Sequence, residues 1–128
     1  MSLSESMYSY LTDLVDVSVY CGTFDQDVEL PAVIFTVIDL EYGHTLNETT
    51  QFALARVQID SVSTLLSEAE TNANTIRSTL DAFHGDLDDT TILYSIADSS
   101  RHLHQPPSEG ANEWTYRVST DYLLRHAV

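Results

Sequence analysis

The chain has 128 residues and no lysine; five arginines stand against 20 aspartates and glutamates, for a formal charge of −15. That balance excludes a binder of nucleic-acid phosphate or anionic lipid, because both interactions depend on Lys and Arg neutralising negative charge. Hydrophobic residues make up 43%, which excludes wholesale disorder, and the length suits one domain over residues 1–128 around a single core.

Ser2-Leu3-Ser4-Glu5 fits a capping box: the Ser2 hydroxyl accepts an early amide and Glu5 reaches back. Leu3, Met7, Leu11, Leu14 and Val15 follow at helical spacing, so residues 2–16 read as an amphipathic helix. The opening MSLSESMYSY has neither the basic n-region nor the apolar h-region of a signal peptide. A short strand, Ser18-Val19-Tyr20, ends at Gly22, and Thr23 to Glu29 is acidic and loop-like. Pro31 stands at a strand entry, where proline is tolerated. Ala32 to Ile38 is apolar on both faces and reads as a central, doubly covered strand. It is the longest apolar run, far short of the ~20 residues of a membrane span.

Turn material from Gly43 to Thr50 leads to a second long strand. There Ala53, Ala55, Val57 and Ile59 alternate with Arg56, Gln58 and Asp60, the pattern of a half-exposed strand. Ser67-Glu68-Ala69-Glu70 reads as a second capping box, Ala69, Ala73, Ile76, Leu80 and Phe83 as its apolar stripe, and Gly85 as the left-handed stop. Ile92 to Ala97 is a strand, followed by a loop from Ser99 to Asn112 that contains Pro106-Pro107. The last segment sets Trp114, Tyr116, Val118, Tyr122 and Leu124 against Thr115, Arg117, Ser119, Asp121 and Arg125. The expected fold is α+β: a mainly antiparallel sheet of four to five strands with two helices, in the order α-(β)-β-β-α-β-β. If the strands bearing Arg56/Gln58/Asp60 and Arg117/Ser119/Asp121 pair, or meet across a subunit boundary, Arg and Asp become cross-strand partners.

Little in the chain argues for catalysis. Cys21 is the only cysteine, so no internal disulfide or thiolate cluster forms, and a small buried or loop residue is its expected role. His102-Leu103-His104 puts two imidazoles on one face when extended, but no third ligand has a supporting motif and a polar loop is the preferred reading. His44, His84 and His126 read as surface or turn residues. Asp86-Leu87-Asp88-Asp89 lacks the alternating oxygens, central Gly and terminal Glu of a calcium loop and reads as a solvated connection. No nucleophile elbow, phosphate loop or dinucleotide fingerprint occurs. The expectation is no enzyme, no cofactor and no metal. Asn47-Glu48-Thr49 matches a glycosylation sequon of a kind common by chance.

The charge has its own explanation. A compact chain at −15 repels itself at ordinary ionic strength, whereas molar salt cuts the Debye length to about 3 Å. Lysine-free, Asp/Glu/Ser/Thr-rich composition resembles that of proteins adapted to near-saturating salt inside an extreme halophile.

Four features carry a second resemblance: the N-terminal helix, the Leu30-Pro31-Ala32-Val33-Ile34-Phe35 strand entry, the long strand Phe52 to Val62 running through Ser61-Val62-Ser63-Thr64 into the helix from Ser67 to Phe83, and Ile92-Leu93-Tyr94-Ser95 with the aromatic-rich terminal strand Trp114 to Leu124. Together they resemble the tail-terminator, or tail-completion, proteins that join tail to head in long-tailed viruses. The resemblance implies a non-enzymatic homo-oligomeric ring, usually a hexamer, in the neck or tail of a virion and assembled in the host cytoplasm. Its partners would be copies of itself, the tail tube protein and the head-tail connector or adaptor. Viral DNA would pass through the lumen without specific binding, with no membrane involved. The departure from the family is charge, its arginine-rich surfaces being thinned here to five residues with no lysine. Candidate interface residues are His44, Thr45, Asn47 and Glu48 on the first loop, Arg101, His102 and His104 on the second, and Arg56, Asp60, Arg117 and Asp121 on the polar faces. The rival reading is a cytosolic halophilic regulatory or small-ligand-binding α+β domain, for which Tyr94, Tyr116, Tyr122 and His84 are the candidate pocket groups, although core packing explains the tyrosines more simply.

Overall fold

The computed structural model describes residues 2–22, 30–44, 49–88, 90–106 and 114–127. Helix α1 (Leu3–Leu14) starts as expected: the Glu5 amide donates to the Ser2 hydroxyl at 3.2 Å, and that hydroxyl lies 3.3 Å from the Glu5 carboxylate. One face of α1 buries Leu3, Met7 and Leu11, each burial worth about 1.5–3 kcal/mol. Strand β1 (Ser18–Cys21) leads through Gly22, whose φ of 89° favours a residue without Cβ, and past the described gap to β2 (Ala32–His44). β3 (Thr49–Ser63) then enters α2 (Leu66–Leu80), followed by β4 (Phe83–Leu87), β5 (Thr90–Gln105) and β6 (Thr115–Ala127).

The six strands form one sheet in the order β1-β2-β3-β6-β5-β4. β1 runs parallel to β2, and every other pair is antiparallel. The α+β expectation holds and most pairs are antiparallel, but the parallel β1–β2 pair makes the sheet mixed, and it has six strands rather than four or five. Both helices cover the same face. Val33, Phe35, Ala55, Val57, Ile59, Tyr122, Leu124 and Ile92 point from the strands into a core closed by Met7 and Leu11 of α1 and Ile76 and Leu80 of α2. Helix α1 touches both β1 and β4, the two opposite margins of the sheet, so the sheet curls around the helices.

Several local expectations are corrected. Helix α2 has no side-chain cap: its N-cap is Leu65, whose amide donates to the Ser63 hydroxyl at 3.1 Å, and Ser67 lies inside the first turn. The helix stops at Asp81, not Gly85, because Ala82 takes the left-handed turn (φ 61°). The turn sends Phe83 into the sheet rather than onto the helix stripe, where its ring packs 6.0 Å from Tyr10. Gly85 (φ 131°) sits within β4 at a register shift. Asp86 and Leu87 therefore belong to a strand, with Leu87 fully buried, instead of a solvated connection; Asp89 lies outside the described residues.

Strand β5 continues to Gln105, so Ser99 to Gln105 and the His102/His104 pair are strand and not loop. Gly43, His44, Thr49 and Thr50 are likewise strand ends. β2 is doubly covered only through Phe35; from Thr36 to Tyr42 it is largely exposed. Cys21 is an exposed strand residue. His126 is buried rather than on the surface, with Nδ1 2.9 Å from the Ala127 carbonyl oxygen.

Candidate functional site

The face of the sheet away from the helices carries the polar chemistry. β3 and β6 pair so that Gln58 lies opposite Asp121 and Asp60 opposite Ser119. Because side chains alternate, Arg56, Gln58 and Asp60 share this face with Arg117, Ser119 and Asp121. The expected Arg–Asp partners do form, as diagonal neighbours. The Arg117 guanidinium donates to Asp60 at 3.0 Å, and Arg56 donates to Asp121 at 3.2 Å. Arg56 also reaches Asp98 at 3.2 Å, and Arg101 from β5 donates to Asp121 at 3.3 Å and to the Ser119 hydroxyl at 3.2 Å. The Gln58 amide adds a bond to Asp60 at 3.1 Å.

These are not loose surface pairs throughout. The Asp60 side chain is only 5% exposed and that of Asp121 12%, while the arginines covering them are 37–48% exposed. A carboxylate out of water needs its positive partner in place, so the acid members depend on the arginines far more than the reverse. By register, Arg125 shares the face through its pairing with Leu54 and Tyr94, and Asp39 and Glu41 join it from β2 opposite Arg56 and Leu54. Four of the five arginines in a −15 chain thus lie on the face that carries five described carboxylates, and three of them bond Asp60, Asp98 or Asp121. This face is close to charge balance, and the excess acid lies elsewhere.

The other predicted residues separate from this network. His102 and His104 project from β5 towards the helix side, opposite Val118 and Tyr116. His102 Nε2 is 3.9 Å from the Glu70 carboxylate, and the His104 ring lies 5.8 Å from that of Trp114. No group of three or more His, Cys, Asp or Glu side chains among the described residues has metal-site geometry. His44 ends β2, while Thr45, Asn47 and Glu48 lie outside the described residues. The sequence reading missed Asp98, which enters the network at an irregularity in β5, and the edge positions Asp39 and Glu41.

The candidate pocket groups of the rival reading do not converge, and core packing accounts for Tyr122 and Tyr116. Tyr122 is fully buried beneath α2, Tyr94 points to the helix-free face, His84 is exposed on β4, and Tyr116 packs with Ala69, Ala73 and Val118. A groove of about 300 Å³ lies between α2 and the β5–β6 ladder, lined by Glu70, Arg77, His102 and smaller residues, and none of those four groups lines it. Burial pushes the Tyr122 hydroxyl well above the usual phenol range, with Arg77 lowering it and Asp81 raising it to smaller extents; burial also raises Tyr10.

No helix among the described residues is long and apolar enough to cross a membrane. No protein-family model matches the chain, and no curated protein matches it. Among solved structures, it is similar to a chain in one described as the virion of a native gene transfer agent particle, with a TM-score of 0.71 at 14% identity over 99% of this chain and 96% of that one. The likeness is one of fold, and it spans both helices and the whole sheet.

Proposed function

We propose that this protein is a structural component of a tailed, virus-like particle, acting as a non-enzymatic ring at the end of the tail tube where it meets the head connector. The observation that carries the reading is the end-to-end fold likeness to a chain of a gene transfer agent virion. The helix-free face adds support. A ring around a DNA conduit must let phosphate slide, and here Arg56, Arg101 and Arg117 are each held on a carboxylate, while lysine is absent. The ring's neighbours would be the tail tube protein and the connector. Its single domain, its location in the virion neck and its adaptation to near-saturating salt belong to the same proposal.

Mass and shape test it together. Purified protein in molar potassium chloride, alone and with the tail tube protein of its own particle, should give annular particles in the electron microscope and a mass near six times 14.3 kDa. A species that stays at one or two copies under both conditions, and binds a metabolite as a single copy, would overturn the proposal in favour of a ligand-binding domain.

A further inference from the structure

Among the described residues, two long strands have a stretch of edge without a strand partner, on opposite margins of the sheet. β1 pairs with β2 only from Ala32 to Phe35, so Thr36 to His44 has a described partner on the β3 side alone. β4 pairs with β5 only as far as Ser95 and the Ala97 amide donates to the Asp81 carboxylate at 3.0 Å, so Asp98 to Gln105 has a described strand partner on the β6 side alone. The described side chains of both stretches are mostly exposed, with Ile38 and Tyr42 at 50% and 54% on the first and Leu103 at 51% on the second. An exposed strand edge is a row of unpaired amides and carbonyls, and another strand is what fits it.

We propose that the β2 edge of one copy pairs antiparallel with the β5 edge of the next, joining the sheets of neighbouring subunits into one. The inference rests on the ring reading above and names the joint that would build it.

Direction, charge and geometry all favour this partner. Within one copy β2 and β5 run oppositely, because three antiparallel steps separate them, so copies related by rotation bring the two edges together antiparallel. The edges differ in charge: Asp39 and Glu41 stand on one, while the other carries Arg101, which also bonds Asp121, together with Asp98. A β2 edge facing a second β2 edge would instead oppose acid to acid.

A continued sheet must also keep side chains on their own faces. On the helix-free face β2 offers Asp39 and Glu41, while β5 offers Ser99, Arg101 and Leu103. Setting Asp39 opposite Arg101 satisfies this and places Leu40 opposite Ser100 on the helix side. Arg101 lies level with Ser119 of β6, whereas Asp39 lies level, through Arg56, with Leu123. Each added copy therefore steps along the strands by the four residues from Ser119 to Leu123, roughly 13 Å, across four strand spacings of roughly 19 Å. The resulting strand inclination, about 35°, falls in the range that closed barrels require. The joint is heterologous, which makes rings rather than pairs when its rotation closes.

Disulfide trapping tests the joint. In a Cys21→Ser background, Leu40→Cys with Ser100→Cys should, on oxidation in molar potassium chloride, give a ladder at multiples of 14.3 kDa on denaturing gels without reductant. Within one copy these residues sit on opposite margins, so any bridge joins two copies. The single variant Leu40→Cys should give no bridged dimer; one would mean β2 pairs with β2 and would overturn the proposal. Independently, Asp39→Arg and Arg101→Glu proteins should each fail to assemble but form rings when mixed one to one. Rings of wild type with no ladder and no rescue by mixing would remove this joint and leave the ring reading standing. A wild type that never assembles would remove both.

Discussion

Replacing Arg117 with methionine asks whether the helix-free network is structural. In the folded protein the Asp60 carboxylate is 5% exposed, accepts from Arg117 at 3.0 Å and from Gln58 at 3.1 Å, and sits in mid-strand between β2 and β6. Exposed ion pairs contribute about 0–1 kcal/mol, whereas deleting one partner of a buried pair costs about 3–5 kcal/mol, because the remaining charge is stranded. The Arg117 side chain is 37% exposed, which lets some water reach the acid once the guanidinium is gone, and the Gln58 amide stays. Both effects reduce the cost, to about 2–3 kcal/mol. Urea unfolding at one fixed salt concentration measures it, provided the m-value is unchanged. Adding Asp60→Leu to Arg117→Met should recover much of the loss, since no buried charge then remains; the double-mutant cycle isolates the pair. A loss below about 1 kcal/mol, with no recovery in the double variant, would refute the reasoning and make this an ordinary surface pair.

Three further outcomes are expected. Tyr122→Phe should leave stability unchanged or raise it by up to about 1 kcal/mol, because the buried hydroxyl has no hydrogen-bond partner among the described residues and its loss removes a desolvation cost; urea midpoints check this. The same hydroxyl stays protonated in the fold to higher pH than in the unfolded chain, where it ionises near pH 10. Stability contributed this way is intact below pH 10 and falls by about 1.4 kcal/mol per pH unit above it, so Tyr122→Phe should flatten the alkaline limb of a stability–pH curve. Phe35→Ala, at a fully buried site where β2 meets the core, should cost about 3–5 kcal/mol in the same urea assay. Lowering salt from molar to ~0.1 M should depress the thermal midpoint as the Debye length grows to about 10 Å; an unchanged midpoint would contradict the salt-adaptation reading.

The elements whose residues repeat with a clear period were legible in the chain. Alternation of Ala53, Ala55, Val57 and Ile59 against Arg56, Gln58 and Asp60 revealed both β3 and its polar face, and the same pattern in β6 pointed to the Arg–Asp contacts. The core stripe of α1 and its Ser2 cap were equally plain. What failed is local chemistry overridden by packing. Ser67 and Glu70 spell a capping box, yet the helix begins earlier, where the Ser63 hydroxyl holds the Leu65 amide. Gly85 looks like a helix stop, but Ala82 bears the left-handed strain so that Phe83 can reach Tyr10. His102 to Gln105 reads as polar loop because both faces of that stretch are exposed, leaving no apolar alternation to signal a strand. The depth at which Asp60 and Asp121 lie follows from which strands are neighbours, and no single segment encodes that.

The sheet order has a consequence for how the molecule must come into being. β6, which follows the other five strands in sequence, is wedged between β3 and β5 and holds two halves that share no other ladder among the described residues. Until that strand is available, β1-β2-β3 and β4-β5 are separate ribbons, each presenting a raw inner margin, so native structure cannot accumulate piecemeal from the N-terminus. Closure depends on contacts between residues far apart in sequence, which makes it slow compared with a helical chain of equal size. During that wait the polypeptide is at its most vulnerable to entanglement with other nascent copies.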